Sequence, residues 1–416
     1  MAKGLDLLRW RGDIVSNNVL VLYPGNWLYN ASVIGFLEIL SFGMGKRRIE
    51  EWLKEDGSVS IEKDIFKNVK KGKVEIPYAL VCYVEFLTEG EDLQEWLEQK
   101  DKKGKSNKEK VKEYYDDMGE FGYKFVRALN KLFSSNMPYQ NLVQQNDRRK
   151  FIEYVSKLSI IGEDRVNKRC EICGANRVVE PENDNSLEKR LFRFDKMHSS
   201  DFGPSMVVPN SFWNYNTSLL VCPLCAYLII HHHKALTRLE DNSEIFINAP
   251  SFKVMWYLNK YLQTVYEKGK IATTKELLGM SIIEMALKVN VQLGKWNMMN
   301  IEIVTKSNGK VDFFSMPYEI TVLLSNREVA SLLNEIGELK VLNLILNSDF
   351  IKVLELAERI FKIALKPEKE RSDQDKKFVS ENIKLKRNIE NLTSLSYKLF
   401  KLYAMIEEKA KKEAFV

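Results

Sequence analysis

Four of the five cysteines in this 416-residue chain fall in two pairs, Cys170-Glu-Ile-Cys173 and Cys222-Pro-Leu-Cys225. Two-residue spacing lets both thiolates of a pair reach one cation from a tight turn. Two such turns complete a tetrahedral four-sulfur site of the kind that holds zinc. The 48 residues between the pairs far exceed the roughly 15–20 of a compact zinc module. The metal is therefore expected to fasten a large insertion in a bigger domain. Four thiolates leave no position for water or substrate, so the zinc is expected to be structural. The competing readings are two disulfides or one thioredoxin-like redox pair. A reducing compartment disfavours the first, and the second leaves one pair unexplained.

Little else in the chain has the spacing of reaction chemistry. No phosphate loop, dinucleotide fingerprint or G-x-S-x-G elbow is present. The histidines are His198 and the run His231-His232-His233, and three adjacent side chains cannot all face one metal. Cys82 lies in the apolar run Ala79–Val84, where a buried structural thiol is expected rather than a nucleophile. These residues point to a binding protein, not an enzyme.

The charge distribution suggests what it binds. Lys and Arg number 63 against 57 Asp and Glu, a net charge of +6. The cluster Lys46-Arg47-Arg48 follows an apolar segment. Lys100 to Lys112 carries seven lysines against two acids and reads as a mobile basic loop. Arg148-Arg149-Lys150 is a third cluster. Each alone suits a solvated surface, but together they tilt the N-terminal part toward phosphate binding. Asn26 and Asn30 join the candidate nucleic-acid set, because exposed amides can read adenine edges, although they could simply cap and order a helix. Trp27, Tyr29, Phe212, Trp213 and Tyr215 could stack bases or fill a core. Near the C-terminus Lys384, Lys386, Arg387, Lys398 and Lys401 could contact a strand backbone or merely solubilise helices.

The elements that must position these residues give an α+β, multidomain expectation. It has a mixed α/β N-terminal region with a four-cysteine zinc-bound insertion, then an antiparallel C-terminal helical bundle. Residues 1–164 form the mixed nucleic-acid-binding region. Strands are expected at Val19–Tyr23, Val59–Ile65 and Lys73–Ile76, with helices after Asn26 and over Tyr78–Leu87 and Tyr114–Phe133. Residues 165–235 are the metal-bearing region. Residues 236–316 complete the domain with helices at 251–290 and a hairpin turning at Ser307-Asn308-Gly309. Residues 317–416 form the bundle, with helices over Arg327–Leu346 and Phe350–Leu365 and one long helix from about Lys377 to Lys412. On that helix Leu385, Ile389, Leu392, Leu399, Tyr403 and Ile406 make one stripe. Met1–Asp6 shows no secretory signal, and no apolar run approaches the roughly 18 residues of a membrane span. A soluble, cytoplasmic chain without membrane contact is expected.

The segment Gly25-Asn26-Trp27-Leu28-Tyr29-Asn30-Ala31-Ser32-Val33-Ile34-Gly35-Phe36-Leu37, the two distant CxxC pairs and the lead-in Asn210-Ser211-Phe212-Trp213-Asn214 carry a resemblance. Together they resemble the CXXC–CXXC large subunits of type I (I-A/I-B-like) CRISPR surveillance complexes, or Cascade. The motifs cover the first helix and the metal region; the helical tail agrees in architecture only. The resemblance implies a non-catalytic large subunit of antiviral defence. It implies contact with the 5′ handle of a CRISPR guide RNA and with Cascade backbone subunits. It further implies recognition of the protospacer-adjacent motif in target double-stranded DNA, help in opening the duplex and recruitment of a separate helicase–nuclease. A small subunit made by internal translation, from a start such as Met280, Met285, Met298 or Met299, is a further implication. Only the four cysteines carry over residue by residue. The alternatives are a stand-alone zinc-stabilised DNA-binding regulator and a metal-dependent nuclease built on His198 or His231–His233.

Overall fold

The computed structural model describes residues 18–134, 137, 139–160, 168–181, 186–195, 218–240, 242–267, 274–288, 301–307 and 310–413. His198, the 210–214 lead-in with Phe212 and Trp213, Tyr215, Met298, Met299 and the Asn308-Gly309 turn lie outside them. The protein is mostly helical α+β with small antiparallel sheets. The chain divides into two compact units between His231 and His232. This division falls four residues before the expected end of the metal-bearing region.

In the first unit Val19–Leu22 pairs antiparallel with Val59–Glu62. Alternation turns Leu20, Leu22, Val59 and Ile61 inward. Pro24 and Gly25 break the strand. Asn26 then caps the helix Trp27–Met44, its side chain accepting the Tyr29 N–H at 3.0 Å. This helix corrects the expectation that no run approaches a membrane span. Its 18 residues average a hydropathy of 1.2, but 67% of them are buried inside the protein. Its apolar length reflects burial on nearly all faces, with Val33, Ile34, Phe36, Leu37 and Ile39 fully enclosed. It packs on the helix Tyr78–Leu87. Contact at Gly43 is so close that a Cβ there would lie 2.5 Å from Cys82 Sγ. Cys82 is buried and burial raises its thiol pKa, as a structural cysteine requires.

Two local expectations need correction. The run Tyr114–Phe133 is not one helix but two, Lys112–Met118 and Glu120–Phe133, separated at Gly119 with φ +63°. Lys100–Lys112 is not a bare loop. Asp101 Oδ1 accepts the N–H groups of Lys103 and Lys105, and Ser106 and Glu109 form a reciprocal capping box for the short helix Asn107–Lys110.

In the second unit the strands Thr237–Arg238, Glu244–Asn248, Glu302–Ser307 and Lys310–Ser315 form an antiparallel sheet in that order. The last two pair Ser307 with Lys310, the register of a two-residue hairpin. Asn259 holds the helix Phe252–Glu267 to the sheet, bonding both the N–H and the carbonyl of Ile247 at 2.8 Å. Helix Thr274–Lys288 packs against Tyr318–Ser325, Arg327–Ile336 and Leu339–Leu346. The helices after Pro317 therefore share their core with one that precedes it.

Gly337, with φ +69°, divides the expected helix Arg327–Leu346. The expected long helix Lys377–Lys412 is three: Asp373–Asn382, Lys386–Glu390 and Leu392–Glu413. The buried carboxylate of Glu338 accepts the N–H groups of Lys384 and Leu385 and the Asn388 amide at 2.8–3.0 Å. It thereby supports a non-helical turn where the stripe alone suggests continuity. Ile389 is consequently 42% exposed, while Leu392, Leu395, Leu399, Leu402 and Ile406 form the buried face.

Candidate metal centre

The first cysteine turn is built by its backbone. Cys170 N–H donates to Ala175 O at 2.8 Å, and Gly174 N–H returns to Cys170 O at 2.9 Å. Gly174 sits at φ +75°, which closes the turn at a position an L side chain resists. Glu171 ties this turn to the strand leading into the second pair: its N–H donates to Leu220 O at 3.0 Å and its carboxylate accepts the Leu220 N–H. That strand, Ser218–Leu220, pairs with Arg193–Asp195.

Cys222 begins the short helix Pro223–Leu228. Pro223 occupies the first turn, where its missing N–H costs nothing, and Cys222 Sγ accepts the Cys225 N–H at 3.4 Å. Cys222 N–H in turn donates to Cys170 Sγ at 3.3 Å. Donors aimed at sulfur favour thiolate over thiol. All four sulfurs lie within 4.8 Å of one another, and Cys173 and Cys222 are 3.9 Å apart. A tetrahedral ion with Zn–S bonds of about 2.3 Å sets its sulfurs about 3.8 Å apart. Four cysteines in this arrangement suit a metal such as zinc, and this is the one such grouping among the described residues.

Electrostatics agrees with a cation. Hydrogen bonds from Cys173, Cys222 and Cys225 push the Cys170 pKa down. Burial, with its three thiol neighbours, pushes Cys225 up. Such a cluster carries one negative charge readily and four only around a positive ion. Tyr29 and Tyr154 line it, both phenols pushed well up by burial first and by the cysteines second, so neither adds charge. Tyr154 O–H donates to Pro223 O at 3.1 Å. Asn26 Nδ2 lies 3.5 Å from Ile172 O, so the cap of the first helix touches the first cysteine turn. Reasoning from sequence missed Tyr154 and Glu171, which carry no motif; only the fold brings them to the cysteines.

His231 is not a ligand in this centre. It is fully buried among Phe36, Tyr83 and Tyr227. Its Nδ1 lies 3.0 Å from the carbonyls of Tyr227 and Leu228, and burial pushes its pKa down to about 3. A neutral core imidazole results.

The expected nucleic-acid residues separate into several environments. Asn30 is buried, its amide closing on both polar groups of the Gly25 backbone, so it presents nothing to a base. Asn26 is exposed but occupied as the cap. Lys46 and Arg47 are exposed, Arg47 with a loose 3.6 Å pair to Glu51. Arg48 is held by Glu62 and Glu51. Arg149 is held by Glu113 and Asp117. Arg148 is half-buried against Asn130. Lys384 bonds Ser380 O, Lys386 pairs with Glu390, and Arg387 donates to Glu335 O.

Fold and centre together define a mostly helical α+β protein with a four-cysteine cluster able to take a metal such as zinc. A scan against protein-family models, a search of curated proteins and a search of solved structures each gave no match.

Proposed function

We propose that the chain is the non-catalytic large subunit of a type I CRISPR RNA-guided surveillance complex in the cytoplasm. One structural zinc would lie in Cys170, Cys173, Cys222 and Cys225. In this reading the protein joins the backbone subunits, touches the 5′ handle of the guide, reads the short motif in target duplex, helps open it and recruits the helicase–nuclease. A small subunit started internally would lack whatever precedes its Met. The observation that carries the reading is the junction of two of the three features behind the resemblance. The Gly25–Leu37 segment supplies Asn26 and Tyr29 to the wall of the cysteine centre, which supports reading the two features together. Lys46, Arg47 and the lysine turn at 100–112 supply exposed positive charge for phosphate backbones. In such complexes base pairing carries the long sequence recognition, and the protein reads a short motif and holds backbones.

The test is purification from the native operon. The expected result is co-purification of backbone subunits and a population of short RNAs with a common 5′ end. A chain that emerges free of RNA and of partner subunits would overturn the proposal.

A further inference from the structure

We propose that a cavity beneath the lysine turn binds a phosphate group carried by a nucleotide, with Arg148 as its anchor. The cavity, of about 390 Å³, is lined by Trp96, Lys110, Asn130, Gln145 and Arg148 among others. That places it toward the small end of ligand sites, which run from roughly 300 to 1,000 Å³.

The arginines of this unit differ in their partners. Arg127 holds Glu91, Arg149 holds Glu113 and Asp117, and Arg190 holds Asp147. Among the described residues Arg148 holds no carboxylate. Its partners are the amide oxygen of Asn130 and the phenol of Tyr114, and burial lowers its pKa. A guanidinium remains charged at any physiological pH. Partial burial of that charge without a counterion is unfavourable, so the wall of this cavity is poised for an oxyanion, which the planar fork of arginine can grip with two N–H groups.

The rim selects among oxyanions. Of the two acids in the 100–112 segment, Asp101 is paired with Lys110 at 3.1 Å and Glu109 is committed to its capping box. Lys100, Lys102, Lys103, Lys105, Lys108 and Lys112 remain exposed. Their summed potential favours a phosphate over a singly charged carboxylate. The cavity is also larger than a bare phosphate requires. Trp96 and the amides of Asn130 and Gln145 on its wall offer an apolar face and hydrogen-bonding groups to an attached nucleoside. The choice of nucleotide rests on the nucleic-acid-binding reading above; the anion site stands on Arg148 alone.

The experiment is calorimetric titration of the full zinc-loaded chain with inorganic phosphate, AMP and a short single-stranded oligonucleotide with or without a 5′-phosphate. AMP is expected to bind more tightly than phosphate. A preference for the 5′-phosphorylated strand would mark a terminal phosphate as the natural source, and equal affinity an internal phosphodiester. Arg148→Gln keeps a partner for Asn130 and removes the charge. It should weaken binding at least tenfold, about 1.4 kcal/mol, while Arg148→Lys retains part of the affinity. Lys157→Gln, an equal loss of charge on the same unit, should change it less than twofold. Equal affinities of Arg148→Gln and wild type, at unchanged melting temperature, overturn the site; so does failure of the wild type to bind any probe. Guide RNA that still co-purifies with a chain binding none of the probes would refute this site alone. Probe binding without guide RNA would refute the family reading alone.

Discussion

Around Cys170 and Cys222 the described elements are short: the helix Ser186–Phe192, the three-residue strands Arg193–Asp195 and Ser218–Leu220, and the six-residue helix Pro223–Leu228. From Tyr318 to Glu413 helix follows helix, and Val353, Ile360, Leu399 and Leu402 are fully enclosed. The first region concentrates its order at one point, whereas the second distributes it over many apolar contacts. A point fastening fails all at once when a single ligand is lost. A distributed core yields by degrees.

The sharpest way to break this contrast is Cys222→Ser. Structural zinc supplies on the order of 10 kcal/mol of local folding free energy. The wild type should carry one zinc per chain, and the variant should lose it, with hydrogen exchange rising across 168–181 and 218–228 while 318–413 stays protected. Full zinc content with unchanged protection would show that the cysteines do not fasten the region. Next in size is Leu399→Ala in the second unit. Its side chain is fully buried, and the loss should be about 2–5 kcal/mol, read as a lower denaturation midpoint at unchanged zinc content. Glu338→Gln should cost less, about 1–3 kcal/mol, because one carboxamide oxygen replaces two oxygens that serve three donors. Exchange should quicken at Lys384 and Leu385 first.

Acid gives the smallest effect and separates the units by pH. The pKa of His231 is depressed to about 3 from the ordinary 6.5. Below pH 6.5 the unfolded chain binds a proton that the folded core refuses, so stability falls as pH drops from 6.5 toward 3. At pH 5.5 the loss is about 1.4 kcal/mol. A His231→Phe variant should lack this increment when compared with wild type under the same metal loading. Asp375, held down to about 2 first by Lys366 and also paired with Arg359, works in a lower window. Its contribution persists above about pH 3.8 and disappears as pH falls through 2. An acid titration that disrupts both units together at pH 5.5 would contradict this assignment.

Local chemistry made much of this legible in advance. The cysteine spacing announced the cluster, Asn26 the start of the first helix, and Asn308-Gly309 the pairing of Glu302–Ser307 with Lys310–Ser315. What stayed hidden depends on distant partners. The apolar stripe through Leu385 and Ile389 is as regular as that of one helix, and the groups that hold the turn within it, Glu338 with the carbonyls of Glu335 and Ile336, lie more than forty residues upstream. Likewise Arg48, Arg148 and Arg149 look alike as letters in basic clusters. What separates them comes largely from other segments: Glu62, beside the local Glu51, for Arg48, Glu113 and Asp117 for Arg149, and no acid among the described residues for Arg148.

The seating of the first helix also bears on the order of events on the ribosome. Trp27–Met44 emerges early, yet among its partners are the helix begun by Cys222 and the turn Ile229–His231. Roughly 180 residues separate the end of that helix from the last cysteine. At 5–20 residues per second, synthesis of that stretch takes about 10–40 s. For that interval a strongly apolar helix waits with part of its surface uncovered. Its early neighbour Tyr78–Leu87 can shield one side, and the nascent chain should be a client for helix-binding chaperones until both cysteine turns have formed.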